Sequence, residues 1–97
     1  MHAAIRRYKV QPGSGEEIAR RAREGFVPLI SKAAGFVAYY GVVGPNDEVV
    51  TVSIFENQAG AEQSVNLAAG WVRENLAQYI QGPPEVLTGD VVWSATK

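Results

Sequence analysis

The chain reads strand, helix, strand and then strand, helix, strand again, and that order fills all 97 residues. Such an order leaves few ways to fold. Four short strands joined by two helical crossovers and one hairpin make a single sheet, with both helices on one face. The other face then needs a partner or a ligand. A chain of this length buries only about 60–70% of the surface it exposes when unfolded, so covering that face would also add stability.

The punctuation fixes the elements. Residues 2–10 read as a strand, ended by Gln11-Pro12-Gly13. Ser14 precedes Glu17 by three, the spacing of a capping box, and opens a first helix expected over Gly15 to Ala33. Ile18, Ala22, Phe26, Leu29 and Ala33 form its apolar stripe. Pro28 removes a backbone donor inside that helix and predicts a kink near Gly25–Pro28. Phe36 to Val43 and Val49 to Phe55 read as a hairpin about Gly44-Pro45-Asn46-Asp47. Asn57 is the expected cap of a second helix reaching Ile80, before Gln81-Gly82-Pro83-Pro84. Val86 to Ser94 is the last strand. The fold class is therefore α+β: one domain over residues 1–97, ferredoxin-like βαββαβ, with a four-stranded antiparallel sheet and two helices on one face.

The second helix carries a main stripe of Ala61, Val65, Ala68, Val72, Leu76 and Tyr79. At about 100° per residue, Leu67 and Trp71 fall well off it on one flank. Trp71 is expected either to fold back on the last strand or a loop, or to pack against a second subunit. The strands are equally unusual. The third sets Val50, Val52 and Ile54 against Thr51, Ser53 and Phe55. The second sets Phe36, Ala38, Tyr40 and Val42 against Val37, Tyr39, Gly41 and Val43. Neither sheet face is properly polar, whereas a sheet wetted on one side alternates cleanly. A second sheet stacked on the open face accounts for this, giving an isologous homodimer.

Composition removes several chemistries. There is no cysteine, hence no thiol nucleophile or Cys-x-x-Cys metal site. His2 is the only histidine and lies at the terminus, so neither a metal site nor a His-dependent triad is expected. The third strand has only its terminal Phe55 for base stacking, which counts against nucleic acid. No apolar run approaches the ~20 residues of a membrane span, and no signal-peptide core is present, so a cytoplasmic protein is expected. Residues 1–32 carry seven basic and three acidic residues; the remainder carries two basic and seven acidic. A solvated helix face explains this split, and complementary charge between subunits is its sharper alternative.

What remains is aromatic. Tyr8, Tyr39, Tyr40, Tyr79, Trp71 and Trp93 are candidates to stack on a flat apolar molecule, with Asn66 or Arg6 fixing its polar edge. Tyr40 and Arg6 are the candidates to stabilise a substrate anion. Asn66 and Trp71 lie on opposite flanks of the second helix, which argues against a shared wall.

Three segments carry a family resemblance: Tyr8-Lys9-Val10-Gln11-Pro12-Gly13, Ala34-Gly35-Phe36-Val37 and Ser53-Ile54-Phe55-Glu56-Asn57. In these the chain resembles the antibiotic biosynthesis monooxygenase superfamily of dimeric α+β barrels. The resemblance implies a homodimer with facing sheets and a pocket between sheet and helices in each subunit. It also implies oxygenation of an aromatic, polyketide-like substrate without metal or flavin. Its haem-degrading branch needs a histidine late in the second helix, which this helix lacks. Its quinone-forming branch uses Asn, Trp and Tyr, for which Asn66, Trp71 and Tyr79 are the nearest matches. The alternatives are a non-catalytic or stress-associated barrel that binds a small molecule, and an isomerase or decarboxylase working without O₂.

Overall fold

In the computed structural model, which describes residues 1–97, the strands are β1 (His2–Lys9), β2 (Phe36–Val43), β3 (Glu48–Phe55) and β4 (Glu85–Asp90). They form one antiparallel sheet in the order β2-β3-β1-β4. The helical segments are α1 (Gly15–Arg21), a π-helical turn (Ala22–Phe26), α2 (Val27–Ile30) and α3 (Gln58–Asn75). The expected ferredoxin-like arrangement is thus the one present.

The kink expected near Pro28 takes the form of the π turn. Pro28 cannot donate to the carbonyl of Glu24. One residue earlier, the Val27 N–H reaches back five residues to Ala22. The wider turn also shifts the buried stripe. Ile18, Phe26 and Ile30 are buried, while Leu29 is exposed. Steps of four residues drift about 40° around a regular helix. The π turn absorbs that drift, so Ile30 takes the place expected of Leu29.

Other boundaries differ for local reasons. Ser14 sits at the start of α1 but does not cap it. Its hydroxyl donates to the Gln11 carbonyl at 2.6 Å, and Glu17 instead binds Arg20 and Arg21. Asn57 does cap α3, accepting from the Gly60 N–H at 2.9 Å. α3 stops at Asn75, short of Ile80, because the next residues bind the end of β1. The Gln11 N–H donates to Tyr79 and the Gln81 N–H to Lys9, both at 2.8 Å. β4 ends at Asp90, short of Ser94, where its partner strand runs out at His2.

A bulge in β2 corrects the expected faces of that strand. Phe36 pairs with Phe55, but Ala38 pairs with Ile54, so Val37 is the extra residue. Phe36 therefore joins Tyr39, Gly41 and Val43 on the helix side, and Tyr40 points away with Ala38 and Val42. The buried apolar residues form two clusters. One gathers Ala4, Phe26, Ile30, Phe55, Ala61 and Ala68, and the other Tyr8, Val10, Ile18, Val49 and Leu76.

Candidate binding site

The two clusters part at a single residue of β1. Ala4 belongs to the first and Tyr8 to the second, and between them, on the same side of the sheet, stands Arg6. Arg6 is only 2% exposed. Its Nε donates to Thr51 Oγ1, one terminal nitrogen to Ser53 Oγ and the other to the Ser64 carbonyl, each at 3.1 Å. Thr51 and Ser53 are the polar side of β3, and this side faces inward while Val50, Val52 and Ile54 face out. The register explains it. Thr51 pairs with Arg6 and Ser53 with Ala4, so the hydroxyls share the helix face with the guanidinium.

No carboxylate pairs with Arg6. A buried cation is costly unless its donors are met and its charge is balanced. Here three of the five N–H groups of a guanidinium are held by neutral oxygens, and the charge is not balanced. The other arginines make this sharper. Arg7, Arg20 and Arg21 each pair with a glutamate, while Arg6, Arg23 and Arg73 pair with none.

Arg6 borders a cavity of about 320 Å³ between the sheet and the helices. Phe26, Tyr39 and Trp71 supply its aromatic wall, Arg23 is a second cation, and Gly41 and Ala68 leave space. Phe26 stands 5.4 Å from both Tyr39 and Trp71, centroid to centroid. Within its own chain Trp71 thus packs against the first helical arm rather than against β4 or a loop. A Cβ on Gly25 would come within 2.9 Å of the indole, so this glycine is what lets the ring lie so close. Leu67 is likewise half-buried against the first cluster, not part of an exposed patch. The helix-side flank was open in the sequence pattern only because the π turn carries the first arm across it.

Burial pushes the phenols of Tyr8 and Tyr39 above their usual value, and the Arg6 charge pulls against it without reversing it. Both stay protonated at neutral pH and present donors. The lining holds no Asp, Glu, His or Lys, and hence no carboxylate, imidazole or amine to accept a proton.

Of the residues singled out in the sequence, the cavity collects Arg6, Tyr8, Tyr39 and Trp71. It does not collect the rest. Tyr40 is 61% exposed on the opposite sheet face, because the bulge sends Tyr39 inward in its place. Asn66 is exposed on α3 and Trp71 lies on its other flank. Tyr79 stacks under the Arg21 guanidinium at 5.2 Å. Trp93 is 86% exposed beyond β4. His2 is buried and bonded to Asp90 at 2.9 Å, outside the cavity. Arg23, Phe26, Gly41, Thr51, Ser53 and Ser64 were not foreseen. Hydroxyls alternating through a valine strand, opposite an arginine in β1, were the signal for two of them.

A family model described as antibiotic biosynthesis monooxygenase matches residues 1–69. The chain belongs to the antibiotic biosynthesis monooxygenase family. Solved structures agree on the fold. A Nitrosomonas europaea protein of unknown function superposes with a TM-score of 0.80 at 19% identity, over 99% of this chain and 93% of that one. A Streptomyces coelicolor monooxygenase in complex with nanaomycin D gives 0.77 at 17%, over 99% and 91%. MhuD, in a variant with two manganese protoporphyrin IX bound per active site, gives 0.77 at 17%, over the full length of both chains. No curated protein matches the chain. In this family member no helix is long and apolar enough to cross a membrane. No group of three or more His, Cys, Asp or Glu is placed to hold a metal ion.

Proposed function

We propose that this family member is an oxygenase that binds a planar aromatic substrate as its anion, with Arg6 holding the charge. One observation carries the reading: a buried guanidinium without a carboxylate partner, at the edge of an aromatic-walled cavity. In a low-dielectric site such a group stabilises an anion far more than it would in water. Trp71, Phe26 and Tyr39 lie against the rings, and Tyr8 and Tyr39 donate to ligand oxygens. The ligand in the Streptomyces structure supports an aromatic substrate class.

The chemistry follows from the anion. An electron-rich anthrone-type anion passes one electron to O₂, giving a substrate radical and superoxide. Their recombination forms the carbon–oxygen bond. The peroxide takes back from solvent the proton that the substrate gave up on ionising, and loss of water, made from the outer hydroxyl and the remaining hydrogen on that carbon, leaves a quinone. The substrate supplies every electron, and O₂ supplies the quinone oxygen and the water. The protein binds the anion, orients it and excludes bulk water.

The open sheet face belongs to the same reading. Tyr40, Val42 and Leu87 are all more than half exposed there. A second copy stacked on this face buries them and gives a homodimer with one cavity per subunit.

The test is O₂ uptake by purified protein given a hydroxy-anthrone, with Gly41→Leu and Arg6→Gln alongside. A Cβ at Gly41 meets nothing within 4 Å, so the leucine enters the cavity without displacing the fold. Uptake above buffer by the wild type, lost in both variants, is expected. Absence of uptake across a panel of anthrones, or full uptake by Gly41→Leu, overturns the reading. A second reading is carriage of an aromatic acid without chemistry. The missing proton acceptor in the cavity wall favours it, since such a ligand arrives already ionised. Co-purified aromatic acid in native mass spectra, without uptake, decides for it.

A further inference from the structure

A second cavity, of about 340 Å³, lies between α3 and the β4 edge. It shares Arg6, Tyr8, Val72 and Ile80 with the first and lacks that cavity's wall of Phe26, Tyr39 and Trp71. Val65, Ala69, Ala77, Ile80 and Val86 are aliphatic, and Tyr8 is its only aromatic residue. Two arginines line it, and they are two of the three that pair with no carboxylate: Arg6 and Arg73. It has no acidic lining residue. Arg6 therefore borders both cavities, while Arg23 belongs only to the first and Arg73 only to the second of these two.

We propose that this second cavity is a binding site for a short aliphatic carboxylate, its chain against the aliphatic walls and its carboxylate between Arg73 and Arg6. A carboxylate supplies the balance that the buried Arg6 does not find within the chain, the exposed Arg73 adds a second cation, and a guanidinium fork suits it. The walls set the rest of the ligand. Without a stacked aromatic pair they favour a saturated chain over a ring system. The site rests on the preceding reading only in treating Arg6 as an anion-holding group. Because the intramolecular bonds of Arg6 leave it two N–H groups, ligands in the two cavities draw on the same cation, and each weakens the other by the same factor.

Hexanoate is the probe, followed by amide NMR shifts on the whole protein, with hexanol as its neutral counterpart. Hexanoate is expected to shift Ala69, Ala77 and Val86, and hexanol to shift them much less. Arg73→Gln, at an exposed position, is expected to weaken hexanoate about fivefold, the worth of one modest ion pair. Ala69→Phe fills the cavity and is expected to abolish the shifts. O₂ uptake, measured separately on both variants, stays at the wild-type level, so a failed oxygenase reading and a failed second site are told apart. Shifts centred on Val27 and Gly41, shifts undiminished in Ala69→Phe, or no shifts at all overturn the proposal.

Discussion

Arg6 places an unbalanced charge in the core, and its cost is measurable at the level of single side chains. Ser53→Ala removes the acceptor of one buried N–H and is expected to cost about 1–3 kcal/mol in urea unfolding. The combined change Arg6→Met, Thr51→Val, Ser53→Ala replaces donors and acceptors together by apolar groups. It is expected to melt no lower than the wild type while losing aromatic-anion binding, because a buried unbalanced charge and its two side-chain partners have gone at once. A lower melting temperature for the triple change than for Ser53→Ala alone would show that the network stabilises the fold. On the surface, Glu17 has its carboxyl held at about 2 by hydrogen bonds from Arg20 and Arg21. Its folded value lies below the ordinary one near 4.5, so its contribution is complete above that value and drains away as pH falls toward about 2. Thermal melts of wild type and Glu17→Gln should therefore converge between pH 4.5 and 2, and 1 M salt should shrink the gap at neutral pH.

The helical arm formed by α1, the π turn and α2 decides the shape of the aromatic wall. Gly25→Val drives a side chain into the Trp71 indole, whose nearest atom already stands 2.9 Å from a mere Cβ. The expected result is a red-shifted Trp71 emission and loss of aromatic-anion binding, with circular dichroism unchanged. Unchanged emission would mean that the arm moves aside instead. The sequence made the elements themselves readable, because caps, glycines and prolines act on the nearest few residues. The stripe of α3 was readable for the same reason: Ala61, Ala68 and Leu76 are buried as its period requires. What was not readable depended on one residue changing the count. The π turn replaced Leu29 by Ile30, and the bulge at Val37 exchanged Tyr40 for Tyr39. Either irregularity leaves composition and spacing unchanged while rotating everything beyond it. Half of the candidate site was found because Arg6, Tyr8 and Trp71 lie in regular stretches. Tyr39 was named beside Tyr40, and only the bulge separates their fates.

Over the whole molecule, the sheet has one face filled and one face open. Replacing Val52 by Lys, at the centre of the open face opposite Tyr40, puts a charge where a second sheet would stack. Sedimentation is expected to show the wild type as a dimer and Val52→Lys as a monomer; a monomeric wild type at micromolar concentration would remove the dimer from the proposed function. The strand order has a further effect, on the birth of the chain. β1 sits inside the sheet, between β3 and β4, and His2 pairs with Asp90. During synthesis β1 must wait for β4, the strand of its sheet farthest from it along the chain. Until residues 85–90 leave the ribosome, β1 keeps one edge of unpaired N–H and C=O groups, next to the half of the core it has already gathered. Such an edge invites pairing with a neighbouring nascent chain. Arg7 and Lys9, placed outward on that strand, keep it charged during the wait.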